Sequence, residues 1–253
     1  MEQAQFFYND AGEKLAGSLH LPESSGASPE TAFVWGHCFT CSRHTGILRD
    51  ISRTLAEKGF ASLRFDFSGN GQSQGDFSAT SYSKHIRETE QAMLFLEEKG
   101  FSRFFLGGHS MGAAIAVLTA AKQKKVKGVC ALAGRLGSRE GLQIFSQKQM
   151  RELEERGRLR FESRGRKLEL DAAFFADMKQ YDIPAAVKKL TVPLLVIHGD
   201  QDEIISVENA RSAKEINAAV QVEIIAGADH MFLNAKHRAD ICTRVGKWIE
   251  KNF

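Results

Sequence analysis

Arg103-Phe104-Phe105-Leu106-Gly107-Gly108-His109-Ser110-Met111-Gly112-Ala113-Ala114-Ile115-Ala116-Val117-Leu118 is the stretch on which the reading of this chain turns. It opens as a short apolar run of strand type, passes through Gly-x-Ser-x-Gly, and continues as an alanine-rich apolar helix. A serine in a sharp turn between strand and helix holds its oxygen clear of neighbouring backbone, and flanking glycines permit a turn that tight. The motif alone is weak, since about one chain in seven of this glycine and serine content matches it by chance. A second copy occurs here, Gly71-Gln72-Ser73-Gln74-Gly75. Ser73 follows a strand through Gly69-Asn70 but runs into Asp76-Phe77-Ser78-Ala79-Thr80, with no apolar helical stripe. It reads as a loop serine, and Ser110 as the candidate nucleophile.

Outward from this elbow, short apolar runs alternate with helical patterns. Thr31–Trp35, Ala61–Phe67, Phe104–Leu106, Val126–Leu132, Leu194–His198 and Gln221–Ile225 read as strands. Ile47–Lys58, Tyr82–Lys99, Gly112–Lys122, Val207–Asn217 and Arg238–Lys251 read as helices. Gln3–Tyr8 and Lys14–His20 flank the turn Asn9-Asp10-Ala11-Gly12 and predict a hairpin, followed by a surface loop over Pro22–Pro29. The expectation is an α/β fold with a mostly parallel sheet, helices on both faces and an antiparallel N-terminal hairpin. Residues 1–253 suit a single domain. Between Leu132 and Leu194 lie about sixty residues rich in Arg, Glu and Lys, more than a crossover needs. They predict a lid or cap insertion over about 134–190, with a small hairpin within Arg158–Leu170.

Net charge is +3, too mild to imply nucleic-acid or membrane-surface binding. No run approaches the roughly 18 apolar residues of a spanning helix, and Met1–Gln5 lacks the pattern of a secretory signal. A cytoplasmic location follows as the expectation. The four cysteines, Cys38, Cys41, Cys130 and Cys242, are too few and scattered for a disulfide framework, so reduced thiols are expected.

A serine hydroxyl needs a base, and the base an orienting acid, in this fold in the chain order Ser, acid, His. Leu194–His198 leads into Gly199-Asp200-Gln201-Asp202, which puts two aspartates at a strand's C-terminal end. Gln221–Ile225 leads into Ala226-Gly227-Ala228-Asp229-His230. Of the eight histidines, His230 alone has both the order and the strand-end position. Asp200 and Asp202 are not separable on spacing.

The segments Trp35-Gly36-His37-Cys38-Phe39-Thr40-Cys41, Arg64-Phe65-Asp66-Phe67-Ser68-Gly69-Asn70-Gly71-Gln72-Ser73, the Ser110 elbow, His198-Gly199-Asp200-Gln201-Asp202 and Gly227-Ala228-Asp229-His230 span nearly the whole chain. In these segments the sequence resembles the α/β-hydrolase esterases. It resembles in particular the small bacterial cinnamoyl and feruloyl esterase-like branch, and is closer still to hydrolase domains often fused to OsmC-type domains. No OsmC-type domain is expected here. The resemblance implies Asp202 rather than Asp200 as the acid, since it stands three residues after the glycine. It also implies an oxyanion hole from the Met111 and Phe39 N–H groups, with Cys38 in place of the glycine usual in relatives.

The expected chemistry is hydrolysis of carboxylic esters of small acyl or aryl acids through an acyl-enzyme on Ser110, with no metal or organic cofactor. The same residues serve a thioesterase, an acyltransferase or a peptidase, and some proteins of this fold only bind small ligands. Cys38-x-x-Cys41 lacks the second pair that a structural zinc site requires and reads as packing or loop. Oxidation of Cys38 disturbing the oxyanion loop is a further hypothesis. In the lid, Leu142, Ile144, Phe145, Phe174, Phe175 and Met178 either face the site or pack the lid itself. Oligomeric state is not legible.

Overall fold

In the computed structural model, which describes residues 1–23, 30–137 and 145–252, the chain opens with an antiparallel hairpin, β1 (Glu2–Tyr8) and β2 (Lys14–His20). Asn9 Oδ1 closes its turn by accepting from the Ala11 and Glu13 amides at 3.1 and 2.9 Å. Strand and helix then alternate as β3 (Thr31–Gly36), α1 (Gly46–Glu57), β4 (Ala61–Phe65), α2 (Tyr82–Glu97), β5 (Arg103–His109), α3 (Met111–Ala120) and β6 (Val126–Leu132). After an insertion, β9 (Leu194–Gly199), α7 (Glu208–Ile216), β10 (Gln221–Ile225) and α8 (Ala235–Asn252) complete the pattern. The insertion itself holds α4 (Gln147–Arg156), β7 (Arg158–Ser163), β8 (Arg166–Asp171), α5 (Ala172–Met178) and α6 (Ile183–Lys189).

The main sheet has eight strands in the order β1-β2-β4-β3-β5-β6-β9-β10. β2 pairs antiparallel with β1 and β4, and every pairing from β4 to β10 is parallel. Because side chains alternate along a strand, a run buried on both sides feeds two cores. On β3, Ala32 and Val34 join a core with Leu63, Leu106 and the apolar face of α3, while Phe33 and Trp35 join another with Ile51, Leu55 and Trp248. Thus α1 and α8 cover one face, and α2, α3, α6 and α7 the other. Each fully buried Phe or Leu contributes about 1.5–3 kcal/mol by burial.

The insertion has its own local logic. Ser146 and Gln149 form a capping box at the start of α4, and Gly157 ends it at φ 71°. β7 and β8 pair antiparallel across the two-residue turn Arg164-Gly165, where φ is 53° and 72°. Leu159, Leu170 and Phe174 anchor this unit in the larger core. The hairpin expected within Arg158–Leu170 is therefore present. Leu142 and Ile144, and most of the loop over Pro22–Pro29, lie outside the described residues.

Candidate active site

Ser110 stands between β5 and α3 with φ 57° and ψ −113°, a conformation that costs a non-glycine residue on the order of 1–3 kcal/mol. Its amide donates to Leu132 O on β6 at 2.8 Å, which ties the turn to the sheet. The flanking glycines are required sterically. A Cβ at Gly108 would overlap the Gly112 carbonyl carbon, and one at Gly112 would overlap Gly36 O on β3. Ser73, by contrast, donates its hydroxyl to Asp66 O at 2.6 Å and accepts from the Ala16 amide at 2.9 Å. It is a loop fastener.

The loops after β9 and β10 meet beside the elbow. His230 Nδ1 lies 2.7 Å from Asp202 Oδ2, and both His230 and Ser110 line one cavity of about 410 Å³. The Asp202 side chain is completely buried. Its Oδ1 accepts from the Ile204 and Ile205 amides at 2.9 and 2.8 Å, and Oδ2 also meets His198 Nε2 at 3.1 Å. Burial alone would raise its pKa, but hydrogen bonds from His198, His230 and the Ile205 amide outweigh that and hold the carboxyl well below the usual range. Asp200 is exposed and accepts from the Gly227 amide at 2.7 Å, shaping the loop before His230. The two aspartates that spacing left equivalent are thus distinguished by geometry.

Two further histidines support the arrangement, and sequence order had set both aside. His109 is buried under His230, ring centroids 5.0 Å apart, with Nε2 2.7 Å from the His230 carbonyl oxygen. Burial and the neighbouring His230 charge push its pKa down to about 3, so it stays neutral and donates to that carbonyl. His198 Nε2 bridges Asp202 and Ile205 O, the latter at 2.9 Å. Their signal was present in the sequence, in that each directly flanks a candidate site residue or its loop, but partners distant in sequence decide the role.

The Phe39 and Met111 amides both border the cavity, and among the described residues neither donates to another protein group. Met111 is the first residue of α3, where the helix dipole favours negative charge. Phe39 is held from several sides. His37 accepts the Phe67 amide on Nε2 at 3.0 Å and so donates from Nδ1 to Cys38 O at 2.6 Å. Burial pushes the pKa of His37 down to about 4, which keeps that pattern intact. The Thr40 hydroxyl meets Ser163 at 2.9 Å, and Arg166 donates to Thr40 O at 2.9 Å, so β7 and β8 brace the loop.

The expectation of reduced thiols is corrected at one pair. Cys38 and Cys41 form a disulfide across Phe39 and Thr40, with Cα atoms 5.2 Å apart. The cause is local: a turn in which the Cys41 amide donates to Cys38 O at 3.1 Å brings the side chains within bridging range. Cys130 and Cys242 are free and buried. Phe145 and Phe161 line the cavity, whereas Phe174 and Met178 are buried in the core. Among the described residues no group of three or more His, Cys, Asp or Glu is placed to hold a metal ion, and no helix is long and apolar enough to cross a membrane.

A family model described as serine aminopeptidase, S33, matches residues 37–163. The chain is 24% identical to Esterase EstD of Thermotoga maritima over 89% of its own length, but spans only 60% of that protein. The esterase domain of a Rhodothermus marinus protein aligns at 25% identity and TM-score 0.75, covering 99% of this chain and 98% of that one. Est1E of Butyrivibrio proteoclasticus, solved with ferulic acid bound, shares the fold at TM-score 0.84 and 22% identity, covering 98% and 99% of the two chains.

Proposed function

Because the chain belongs to the serine aminopeptidase, S33, family of α/β-hydrolases, we propose that it is a carboxylic ester hydrolase working through Ser110, His230 and Asp202. The observation that carries this reading is the 2.7 Å contact of His230 with ionised Asp202 beside a cavity that also exposes Ser110. His230 takes the Ser110 proton as the oxygen attacks the ester carbonyl, and Asp202 orients the ring and stabilises its cation. The Phe39 and Met111 amides receive the developing oxyanion. His230 then protonates the departing alcohol and activates the water that cleaves the acyl-enzyme. The insertion that holds α4 to α6 acts as a lid, and Phe161 on β7 with Phe145 just before α4 gives the cavity an apolar side for a small acyl or aryl acid.

The ester class rests on relatives named as esterases, EstD and the Rhodothermus marinus domain. The family description points to a second reading, removal of N-terminal amino acids. A free α-amino group calls for acidic partners, yet the cavity wall carries Arg135 and Arg164 against Glu162 alone, which is exposed. The charge balance favours the ester. The test is turnover of p-nitrophenyl acyl esters and aminoacyl p-nitroanilides by wild type and Ser110→Ala. Ester turnover lost in the variant supports the proposal. Turnover of anilides only would establish the peptidase, and an unreduced ester rate in Ser110→Ala would remove Ser110 as nucleophile.

A further inference from the structure

β6 ends at Leu132, whose carbonyl receives the Ser110 amide at 2.8 Å, and the chain then turns sharply. Ala133 adopts φ 48°, in the left-handed region that non-glycine residues rarely enter. Gly134 packs on the first turn of α3, where an added Cβ would stand 2.7 Å from Ala113 Cβ. This strained turn delivers Arg135 into the wall of the cavity that holds Ser110 and His230.

The guanidinium is poorly served there. Among the described residues its Nε and Nη1 are buried without a hydrogen-bond partner, and Nη2 reaches the Met178 sulfur at 3.9 Å. Among the described residues no carboxylate pairs with the half-buried Arg135, whereas the buried Arg43 and Arg64 are paired with Asp66 and Glu2. Burial pushes the pKa of the neighbouring Tyr82 hydroxyl up, and the Arg135 charge and its hydrogen bond to that neutral oxygen oppose the rise. A guanidinium with two buried donors unmet is costly, and the group that best relieves it is a planar carboxylate taking two N–H bonds at once.

We propose that Arg135 selects the substrate, and that the acid half of the scissile ester carries a second carboxylate that docks on this guanidinium. The proposal rests on the esterase reading above and deepens it. The acid half is chosen because it stays bonded to Ser110 while the alcohol departs and water enters. It therefore belongs beside the buried arginine donors, and the alcohol toward the exposed Ile204 and Arg164. The substrate class is the hemiester of a short dicarboxylic acid, with the apolar wall of Met111, Ala114 and Tyr82 covering its methylenes.

The test compares kcat/KM for p-nitrophenyl hydrogen glutarate with that for the neutral ester in which an isopropyl group replaces the free carboxylate. Wild type is expected to prefer the glutarate, and Arg135→Met to lower the ratio of the two by about 100-fold, the worth of two charge-assisted hydrogen bonds. Arg135→Lys, which keeps the charge but loses the fork, gives an intermediate ratio and serves if the Met variant does not fold. An unchanged ratio in Arg135→Met overturns the proposal. So does a loss that appears instead on an ester with a neutral acid half and a carboxylated alcohol. Calorimetry with glutarate alone provides an arm without turnover: binding to wild type that Arg135→Met abolishes supports the site, and equal or absent binding overturns it. If wild type cleaves no ester, or Ser110→Ala cleaves it undiminished, the esterase reading fails separately and calorimetry still decides Arg135.

Discussion

Asp202→Asn changes one oxygen for one amide group at the most constrained carboxylate of the site. The asparagine Oδ1 still accepts the Ile204 and Ile205 amides, which now stand at 2.9 and 2.8 Å. Its NH2 then occupies the place of Oδ2, facing His230 Nδ1 and His198 Nε2, 2.7 and 3.1 Å away in the native protein. An amide nitrogen only donates, so His230 Nδ1 has to accept and the ring proton moves to Nε2. In that tautomer Nε2, the nitrogen left to act as base, cannot take the serine proton. The variant also loses the negative charge that stabilises the imidazolium, while the shape of the site is kept. An amide in this position of a serine triad lowers kcat by about 10⁴-fold, or about 5.5 kcal/mol of transition-state stabilisation. KM should move little, because ground-state binding does not use Asp202. The assay is steady-state ester hydrolysis, with thermal melting to show that the variant is folded. Asp200→Asn, which alters only the contact with the Gly227 amide, is the control and should stay within about 3-fold of wild type. A kcat for Asp202→Asn within about 10-fold of wild type would sink the assignment of Asp202 as the orienting acid.

Ser110→Gly should raise stability by about 1 kcal/mol by removing the strained φ of 57°, whereas Ser110→Ala should not; denaturant melts of both variants check this. His109 and His37 are buried with pKa values pushed down to about 3 and about 4 from 6.5, so the unfolded chain takes up protons first. Stability should therefore fall as pH drops below about 6.5 and keep falling toward about 3, and His109→Gln should flatten that slope in denaturation midpoints. Thiol titration of the unreduced, denatured protein should count the two free cysteines Cys130 and Cys242, and four after reduction. Reduction should lower kcat more than it changes KM, because the bridge encloses Phe39, while the four-residue loop limits the loss of stability to about 2 kcal/mol.

What was legible in the chain follows backbone constraint. The elbow could be read because Gly108 and Gly112 sit where a Cβ would meet backbone, so the turn dictates the residue type. The α/β order could be read because β3, β5 and β9 feed two cores and so appear as unbroken apolar runs. Asp202 and Asp200 were equivalent in sequence because both follow β9; the distinction arises from loops that close 28 residues apart, at His230, and 27 apart, at Gly227. The Cys38–Cys41 bridge was missed for a different reason. A spacing of three residues is compatible with free thiols, a metal pair or a disulfide, and the turn that selects among them is held by His37, whose own partner is on the far side of a strand connection at Phe67.

Arg135 was illegible for a reason of another kind. A lone arginine opening an Arg-, Glu- and Lys-rich insertion looks like the first residue of a solvated surface. The proposed catalytic groups advertise themselves because they would complete one another within the chain, Ser110 with His230 and His230 with Asp202. A specificity group is completed by the substrate, so its sequence context holds no partner to find. Its mark appears only in three dimensions, as a charge with two buried donors and no carboxylate partner among the described residues, on the wall of the cavity that Ser110 lines. The same reasoning separates Arg135 from Arg166, which lies near the site but finds Thr40 O and Asn70 Oδ1 within 3.2 Å and is thereby committed to bracing the Phe39 loop. Removing Arg166 should therefore lower kcat for every ester alike, whereas removing Arg135 should change which ester is preferred.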